Sequence, residues 1–133
     1  MVYLVDTQIV IWFLLFDDNL TPPIYDLLID TNNSILVSQV SLFEIAIKQT
    51  IGKLPELDKS ISELTTIITN DGFDILPLQN EHLAEYSTVP LLPNHKDPFD
   101  RLIIATAISE GLPIISADEK FSLYQNLVTL IKA

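Results

Sequence analysis

Short apolar runs alternate along the chain with longer segments that carry helix start signals. The runs are candidate β-strands and lie at residues 2–5, 34–37, 73–76, 113–115 and 128–131. Between them, Thr21 with Pro22 is typical of a helix start, and Ser60 with Glu63 forms a capping box. Strands that alternate with helices favour a parallel sheet. The pattern therefore predicts an α/β fold.

One apolar segment does not fit a simple amphipathic helix. Residues 8–16 have the length of a helix but are apolar on every side. Two interpretations remain open at this point. The segment is either a fully buried helix or a surface that binds a second copy or another protein.

Length and composition fit one domain spanning residues 1–133. The chain is 48% hydrophobic, and a chain of 133 residues can bury roughly two-thirds of its unfolded surface. It contains no repeat and no low-complexity tract, and residues 90–98 form the one evident loop. We therefore expect a single core.

The sequence predicts neither a membrane span nor an export signal. The longest uncharged apolar run, residues 9–16, is far shorter than the ~20 residues of a membrane helix, and no basic segment precedes it. Cysteine is absent, which suits a reducing cytoplasm and excludes thiolate metal sites. We expect a cytoplasmic protein in which oxygen or imidazole must bind any metal.

The net charge argues against a nucleic-acid partner. Eighteen acidic and seven basic residues give a formal charge of −11, whereas phosphate contacts favour a basic surface. Bound cations can neutralise part of this charge, and a few local bases can contact phosphates on an acidic protein. Composition is therefore compatible with nucleic acid only if cations or local bases offset the acids.

Several acidic residues are predicted to meet at one edge of the sheet. Ligands of open parallel sheets bind outside the carboxyl ends of the strands. Asp6 follows the first strand directly, and Asp118 lies three residues after the strand that ends at Ile115. Asp97 and Asp100 flank the start of the preceding helix, and the helix after the second strand carries a glutamate, Glu44.

Each of these acids also has a purely structural interpretation. Asp6 and Asp118 can be helix N-caps, because acids are favoured at helix starts. Glu44 can form a capping box with Ser41. Asp97 can start the turn before Pro98. Asp100 can either cap the helix or pair with Arg101 or Lys96.

Capping does not explain why carboxylates would gather at one edge. Their mutual repulsion raises pKa values and costs stability unless cations lie among them. Mg²⁺ prefers oxygen ligands and is usually bound by one or two carboxylates, waters and a substrate phosphate. Such ions activate water and stabilise charge on phosphate. The cluster thus indicates Mg²⁺ or Mn²⁺ and phosphodiester hydrolysis.

Four ordered segments of the chain resemble those of PIN-domain ribonucleases, and of VapC-type toxins in particular. They read YLVDTQIVIW, VSLFEIAIK, HKDPFDRLIIATA and LPIISADEKF and span nearly the whole chain. The resemblance implies a three-layer α/β/α fold around a mostly parallel sheet of about four to five strands. It also implies a metal-dependent endoribonuclease toxin.

The resemblance implies metal-site and catalytic roles for Asp6, Glu44, Asp100 and Asp118, with Asp97 as a rival to Asp100. Two hydroxyl residues are expected to support the site, Thr7 and Ser116. The sequence departs from the family at Gln8, where many relatives have His, and at Ser116, where they often have Thr. A serine keeps a hydroxyl that can orient a ligand or a water molecule. We therefore expect the function to persist.

Five basic residues lie near the acids: Lys48, Lys53, His95, Lys96 and Arg101. They are either charges exposed to solvent or contacts to RNA phosphates. Lysines at the end of the helix that carries Glu44 also suit the helix dipole.

The resemblance further implies partners. These are an RNA substrate, such as transfer or ribosomal RNA, a VapB-like antitoxin that blocks the site, and a homodimer or larger toxin–antitoxin assembly. One alternative is a catalytically silent PIN-like module that only binds a partner. A receiver-like Mg²⁺-binding signalling domain would need paired acids after the first strand, where Thr7 follows Asp6. A haloacid-dehalogenase-type phosphatase would need an acid where Gln8 stands.

Overall fold

The computed structural model describes residues 1–133 and contains one five-stranded sheet with the strand order β3-β2-β1-β4-β5. All neighbouring strands are parallel. The strands are β1 (Val2–Val5), β2 (Ser34–Ser38), β3 (Asp74–Leu76), β4 (Ile114–Ser116) and β5 (Leu130–Lys132). The five predicted strands are confirmed. β5 starts later than predicted because the N–H of Val128 is tied to the Tyr124 carbonyl in a turn, 3.1 Å away.

Helices connect the strands. They are α1 (Thr7–Leu15), α2 (Pro22–Ile29), α3 (Gln39–Thr50), α4 (Ile61–Asn70), α5 (Asn80–Tyr86), α6 (Pro98–Glu110) and a 3₁₀ helix (Glu119–Tyr124). Two predicted helix starts are confirmed, with Thr21 and Ser60 at the N-cap positions. The Ser60 hydroxyl accepts the N–H of Glu63 at 3.2 Å.

Helices cover both faces of the sheet. Successive residues of a strand point to opposite faces, so Leu4 and Val5 are both fully buried but lie in different cores. Val5 packs in a core with residues of α1, α2 and α4. Leu4 packs in a second core with residues of α6 and the 3₁₀ helix, so the sheet separates the buried residues into two cores where a single core was expected. The predicted three-layer α/β/α fold with a parallel sheet is confirmed.

Helix α1 is buried only in its first half. Ile9, Val10 and Ile11 are at most 4% exposed, whereas Phe16 at the C-terminal end is 85% exposed. The interpretation of this segment as a fully buried helix is therefore wrong. None of the helices combines the length and apolar character that a membrane span requires.

Candidate metal centre

Three strands end side by side at the edge where the acids were predicted. Val5 is in register with Val37 on β2 and with Ile115 on β4. The N–H of Asp6 extends this pairing by donating to the Ile115 carbonyl at 3.0 Å. The residues that follow β1, β2 and β4 therefore lie next to one another.

Asp6 is a buried carboxylate bonded at both oxygens. It is the N-cap of α1, where Oδ1 accepts the N–H of Ile9 at 2.9 Å. Oδ2 accepts a short hydrogen bond from the Ser116 hydroxyl. The side chain is only 3% exposed. The capping role of Asp6 is therefore confirmed, and a second donor is added from a distant part of the sequence.

The surroundings of Asp6 disfavour its charge. Burial raises the pKa of the carboxyl to about 6, because the ionised form loses its hydration. The hydrogen bonds from Ser116 and from the Ile9 N–H lower the pKa, but the negative charges of Asp100 and Asp118 raise it again. The acids predicted to share this edge therefore lie close enough to influence Asp6.

Ser116 connects two of the predicted acids. Its hydroxyl donates to Asp6 and accepts the N–H of Asp118 at 3.0 Å. Asp118 is exposed and caps the 3₁₀ helix by accepting the N–H of Lys120 at 2.9 Å. The capping interpretation of Asp118 is thus also confirmed.

Glu44 is held by a chain of hydroxyls. Thr7 lies 2.8 Å from Glu44 Oε1 and 3.0 Å from the Ser41 hydroxyl. An ionised carboxylate can only accept, so Thr7 donates to Glu44 and must accept from Ser41. Lys48 lies one turn later, with its Nζ 3.5 Å from Glu44 Oε2. Glu44 is thus fixed from α1 and from its own helix.

The proposed capping box at the start of this helix is wrong. Helix α3 begins earlier, and its N-cap is Ser38, whose hydroxyl accepts the N–H of Val40 at 3.0 Å. Ser41 is therefore a fully buried residue inside the helix, and its bonding partner is Thr7. Glu44 thus takes no part in capping the helix, and its charge lies close enough to Asp100 to raise the pKa of that carboxyl.

Asp100 is the second acid whose charge is disfavoured. Burial raises its pKa to about 6, the hydrogen bond from His95 lowers it, and the negative charges of Asp97 and Glu44 raise it. Its Oδ2 lies 3.2 Å from His95 Nε2, and its side chain is 21% exposed. The expected pairing of Asp100 with Lys96 or Arg101 is wrong, since His95 takes that place.

Asp97, the rival of Asp100, is an exposed helix cap. Its Oδ1 accepts the N–H groups of Phe99 at 2.8 Å and Asp100 at 3.1 Å. These bonds engage the carboxylate with the first turn of α6. Asp100, unlike Asp97, lies close enough to Asp6 for its charge to raise the pKa of the Asp6 carboxyl.

Two of the five basic residues are buried, although the sequence suggested that they are exposed. His95 and Arg101 are only 2% and 4% exposed. The guanidinium of Arg101 donates to the carbonyls of Pro90 at 2.6 Å and Val89 at 3.0 Å. Its Cζ also lies 4.9 Å from the ring centroid of Tyr86. The interpretation of His95 and Arg101 as exposed charges or as RNA contacts is therefore wrong.

The other three basic residues remain accessible. Lys53 and Lys96 are exposed, and Lys48 is half-buried beside Glu44. Of these three lysines, Lys48 is the one that forms an ion pair with a candidate site acid.

The donor set fits a hydrated divalent cation. The acids and hydroxyls at this edge offer only oxygen, which suits Mg²⁺ or Mn²⁺. No group of three Asp, Glu or His side chains is gathered closely enough to hold an ion by itself. A cation bound here would therefore keep water or phosphate oxygens in part of its coordination sphere, as Mg²⁺ commonly does.

Comparison with known proteins agrees with this architecture. A family model described as PIN domain matches residues 3–127, whereas no curated protein matches the chain. VapBC2 from Rickettsia felis, bound to a DNA fragment from their promoter, matches with a TM-score of 0.68 and 19% identity. The match covers 99% of this chain and 98% of that chain.

Two further solved structures match over the same extent. VapBC-5 from Mycobacterium tuberculosis, of the VapBC family of toxin-antitoxin systems, has a TM-score of 0.63 and 17% identity. DNA-bound VapBC from Salmonella typhimurium has a TM-score of 0.66 and 14% identity. Each match covers 99% of this chain and 98% of the other. At these identities the likeness shows a shared fold.

Proposed function

The chain belongs to the PIN domain family, and we propose that it is a metal-dependent endoribonuclease of the VapC toxin type. One observation carries this proposal. Two carboxyls, Asp6 and Asp100, come from opposite ends of the chain to one sheet edge, and each has a pKa raised to about 6. Ionising two buried and neighbouring carboxyls costs free energy, and a cation bound between them would explain why they are placed together.

Asp6 and Asp100 are proposed as the direct ligands of Mg²⁺ or Mn²⁺. A bound cation would act as a Lewis acid that activates water and neutralises charge on the phosphodiester. Asp6 is oriented in advance by Ser116 and the N–H of Ile9, each of which leaves a lone pair free on the oxygen it contacts. At neutral pH both carboxyls are mainly ionised, since their pKa values lie near 6.

Glu44 and Asp118 are proposed to complete the site. Glu44 adds negative charge next to Asp100, and Thr7 fixes one of its oxygens. Asp118 adds negative charge next to Asp6 and has one carboxylate oxygen engaged in its own cap. These acids would bind the water molecules around the cation and accept protons from them.

Three lysines, Lys48, Lys53 and Lys96, are proposed to contact the RNA backbone. Such contacts would offset locally the overall charge of −11. Lys48 is the nearest to the acids, because its Nζ already lies 3.5 Å from Glu44. A phosphate that enters the site would therefore meet a cation at its edge.

The proposed toxin would act on RNA in the cytoplasm and be held inactive by a VapB-like antitoxin. One of the similar solved structures is described as a member of the VapBC family of toxin-antitoxin systems. The exposed end of α1 supports a partner surface, because Trp12, Phe16 and Tyr25 line an open groove of about 460 Å³ between α1 and α2. A second copy of the chain is the alternative occupant.

The nuclease proposal is tested by incubating total cellular RNA with the purified protein. Reactions contain Mg²⁺, Mn²⁺ or EDTA, and the ends of the fragments are sequenced. Asp6→Asn removes the charge but keeps a residue that caps helices well. Asp30→Asn is the matched control, because Asp30 is an exposed aspartate that accepts a backbone N–H before β2, at the opposite edge of the sheet.

Cleavage at few positions that requires the cation, survives in Asp30→Asn and disappears in Asp6→Asn would support the nuclease. A protein that binds Mn²⁺ but leaves every RNA intact would favour a silent partner-binding module. The partner surface is then tested by size-exclusion chromatography with light scattering, which measures the mass of the chain with and without a candidate antitoxin.

A further inference from the structure

A buried histidine lies behind one of the proposed ligands. His95 is 2% exposed, yet both of its ring nitrogens have partners. Nε2 lies 3.2 Å from Asp100 Oδ2, and Nδ1 lies 2.6 Å from the hydroxyl of Tyr124. Tyr124 is itself 1% exposed. Neither side chain can reach a substrate, so their effect on the site must pass through Asp100.

The direction of the hydrogen bonds follows from the chemistry of the three groups. An ionised Asp100 can only accept, so the Nε2 of His95 carries the proton and donates it. In a neutral imidazole the other nitrogen is then an acceptor, and the Tyr124 hydroxyl donates to Nδ1. The tautomer with its proton on Nε2 therefore satisfies all three groups, with the buried Tyr124 hydroxyl as the donor to Nδ1.

This chain of bonds ties together three separate parts of the sequence. His95 belongs to the loop before α6, Asp100 to the first turn of α6, and Tyr124 to the 3₁₀ helix. Asp118 is the N-cap of that same 3₁₀ helix. The carboxylate of Asp100 is thus fixed relative to the segment that carries another proposed site acid.

Only one oxygen of Asp100 is used by the protein. His95 contacts Oδ2, and Oδ1 has no hydrogen-bond donor in the structure. His95 is the one hydrogen-bond partner of this carboxylate, so without His95 neither oxygen is held by a donor. With Oδ2 held, Oδ1 remains available to a ligand at the sheet edge.

A second pair of a buried histidine and a carboxylate lies away from the site. His82 is 1% exposed, and its Nε2 lies 2.8 Å from Oε1 of Glu110. Its Nδ1 accepts the N–H of Gln79 at 3.1 Å. Glu110 ends α6, whereas Asp100 lies in the first turn of that helix. A substitution of His82 therefore measures how much the loss of a buried histidine–carboxylate pair lowers stability without any direct effect on the site.

We propose that His95 and Tyr124 are positioning residues that hold the Asp100 carboxylate in the orientation needed to bind a divalent cation. This inference rests on the proposed function, because it assumes that Asp100 is a ligand. The buried hydroxyl of Tyr124 then influences cation affinity through its hydrogen bond to His95. Groups that orient metal ligands typically change affinity or activity ten- to a hundredfold when removed.

The test compares Mn²⁺ affinity, measured by titration calorimetry, among variants of the full chain. Tyr124→Phe keeps the ring and removes only the hydroxyl. His95→Leu removes both ring nitrogens, and His95→Gln restores a donor near the position of Nε2. The controls are His82→Leu, which breaks the other pair, and Tyr86→Phe, which removes the hydroxyl that accepts from Arg101. Thermal unfolding of each variant records its stability.

We expect His95→Leu to weaken Mn²⁺ binding roughly ten- to a hundredfold and Tyr124→Phe by a smaller factor in the same direction. His95→Gln should recover part of the loss. His82→Leu and Tyr86→Phe should lower the melting temperature without changing Mn²⁺ affinity. Rescue by glutamine combined with silent controls would support positioning, since a packing defect would not be rescued by a donor.

Equal Mn²⁺ affinity in the wild type, Tyr124→Phe and His95→Leu would overturn the positioning role, even if all of them cleave RNA. A wild type that binds Mn²⁺ and cleaves no RNA would instead overturn the proposed function. In that case the affinity series still decides the roles of His95 and Tyr124. The two failures are therefore distinguishable by separate measurements.

Discussion

The hydroxyl of Ser116 donates a hydrogen bond to Oδ2 of Asp6, although 110 positions separate the two residues in the sequence. The contact is possible because β1 and β4 are neighbours in the sheet, with Val5 in register with Ile115. Asp6 would otherwise be an ordinary helix cap at its Oδ1. The bond from Ser116 turns this cap into a carboxylate with a fixed orientation, which is what a ligand residue requires.

Asp6→Asn should stabilise the metal-free protein at pH 7 by about 1 to 2 kcal/mol. The reason is that Asp6 is buried and its pKa is raised to about 6, so the ionised form disfavours folding. Asparagine keeps the cap at the start of α1. Urea denaturation in EDTA at pH 7 measures the gain.

The same comparison at low pH provides the control. The raised pKa makes the folded state hold more protons than the unfolded state between about pH 4 and 6. The contribution of Asp6 to stability is therefore fully present below about pH 4 and is lost as the pH rises through 6. The advantage of Asp6→Asn should vanish near pH 4, and an equal advantage at both pH values would contradict the explanation.

Cation affinity should rise with pH. Asp6 and Asp100 must lose protons with pKa values near 6 before they bind a cation. From pH 7 to pH 5 the affinity for Mn²⁺ should fall roughly ten- to a hundredfold, depending on whether one or both protons are displaced. Titration calorimetry in buffers of different ionisation enthalpy measures both the affinity and the protons released. A flat profile would mean that neither carboxyl is a ligand.

Asp97 and Asp100 should behave differently when each is changed to asparagine. Asp97→Asn keeps a good cap at the start of α6, so Mn²⁺ affinity and RNA cleavage should stay within about threefold of the wild type. Asp100→Asn removes the charge that lies near Asp6 and Glu44, and both measurements should fall at least about tenfold. The reverse order of effects would make Asp97 the ligand.

Thr7→Val tests the chain of hydroxyls behind Glu44. Valine has nearly the same shape, but it leaves Glu44 Oε1 without a donor and Ser41 without an acceptor. We expect a loss of about 1 to 2 kcal/mol in the free energy of unfolding and a lower kcat for RNA cleavage. Thr7→Ser retains the hydroxyl and should keep most of the activity. Equal kcat values for the two variants would exclude a role for this hydroxyl.

Arg101→Met tests the structural role of the buried arginine. The substitution leaves the carbonyls of Val89 and Pro90 without their donors, so the free energy of unfolding should fall by about 2 to 4 kcal/mol. Lys96→Ala, at an exposed position nearby, should change stability by less than about 0.5 kcal/mol. Chemical denaturation distinguishes the two. A negligible effect of Arg101→Met would show that the loop does not depend on this arginine.

The sheet could be predicted from the sequence because local signals and global fold agree. Each strand is a short apolar run, and several helices begin at a side chain that caps them, such as Ser60 or Asp6. The neighbouring position of the acids followed from the rule that parallel strands end at the same edge. The N-cap of α3 was misplaced, because both Ser38 and Ser41 are chemically able to cap a helix.

The buried bases could not be recognised from local pattern alone. His95 and Arg101 lie in a segment rich in charged residues, which usually indicates exposure to solvent. One signal was available for Arg101, since Ile104 and Ala105 follow at the spacing of one helix face and both are fully buried. No such periodicity exists in the loop that holds His95. One of its hydrogen-bond partners, Tyr124, is 29 positions away in the sequence.

The order of strands also determines when, during synthesis of the chain, the proposed site becomes complete. Asp6 leaves the ribosome early in translation, whereas Ser116 and β4, which lies beside β1, emerge only after most of the chain has been synthesised. An unfinished polypeptide therefore has the first acid of the site without its donor and without the strand that places Asp118 beside it. Translating ribosomes and their RNA would thus be spared attack by incomplete copies of the proposed toxin.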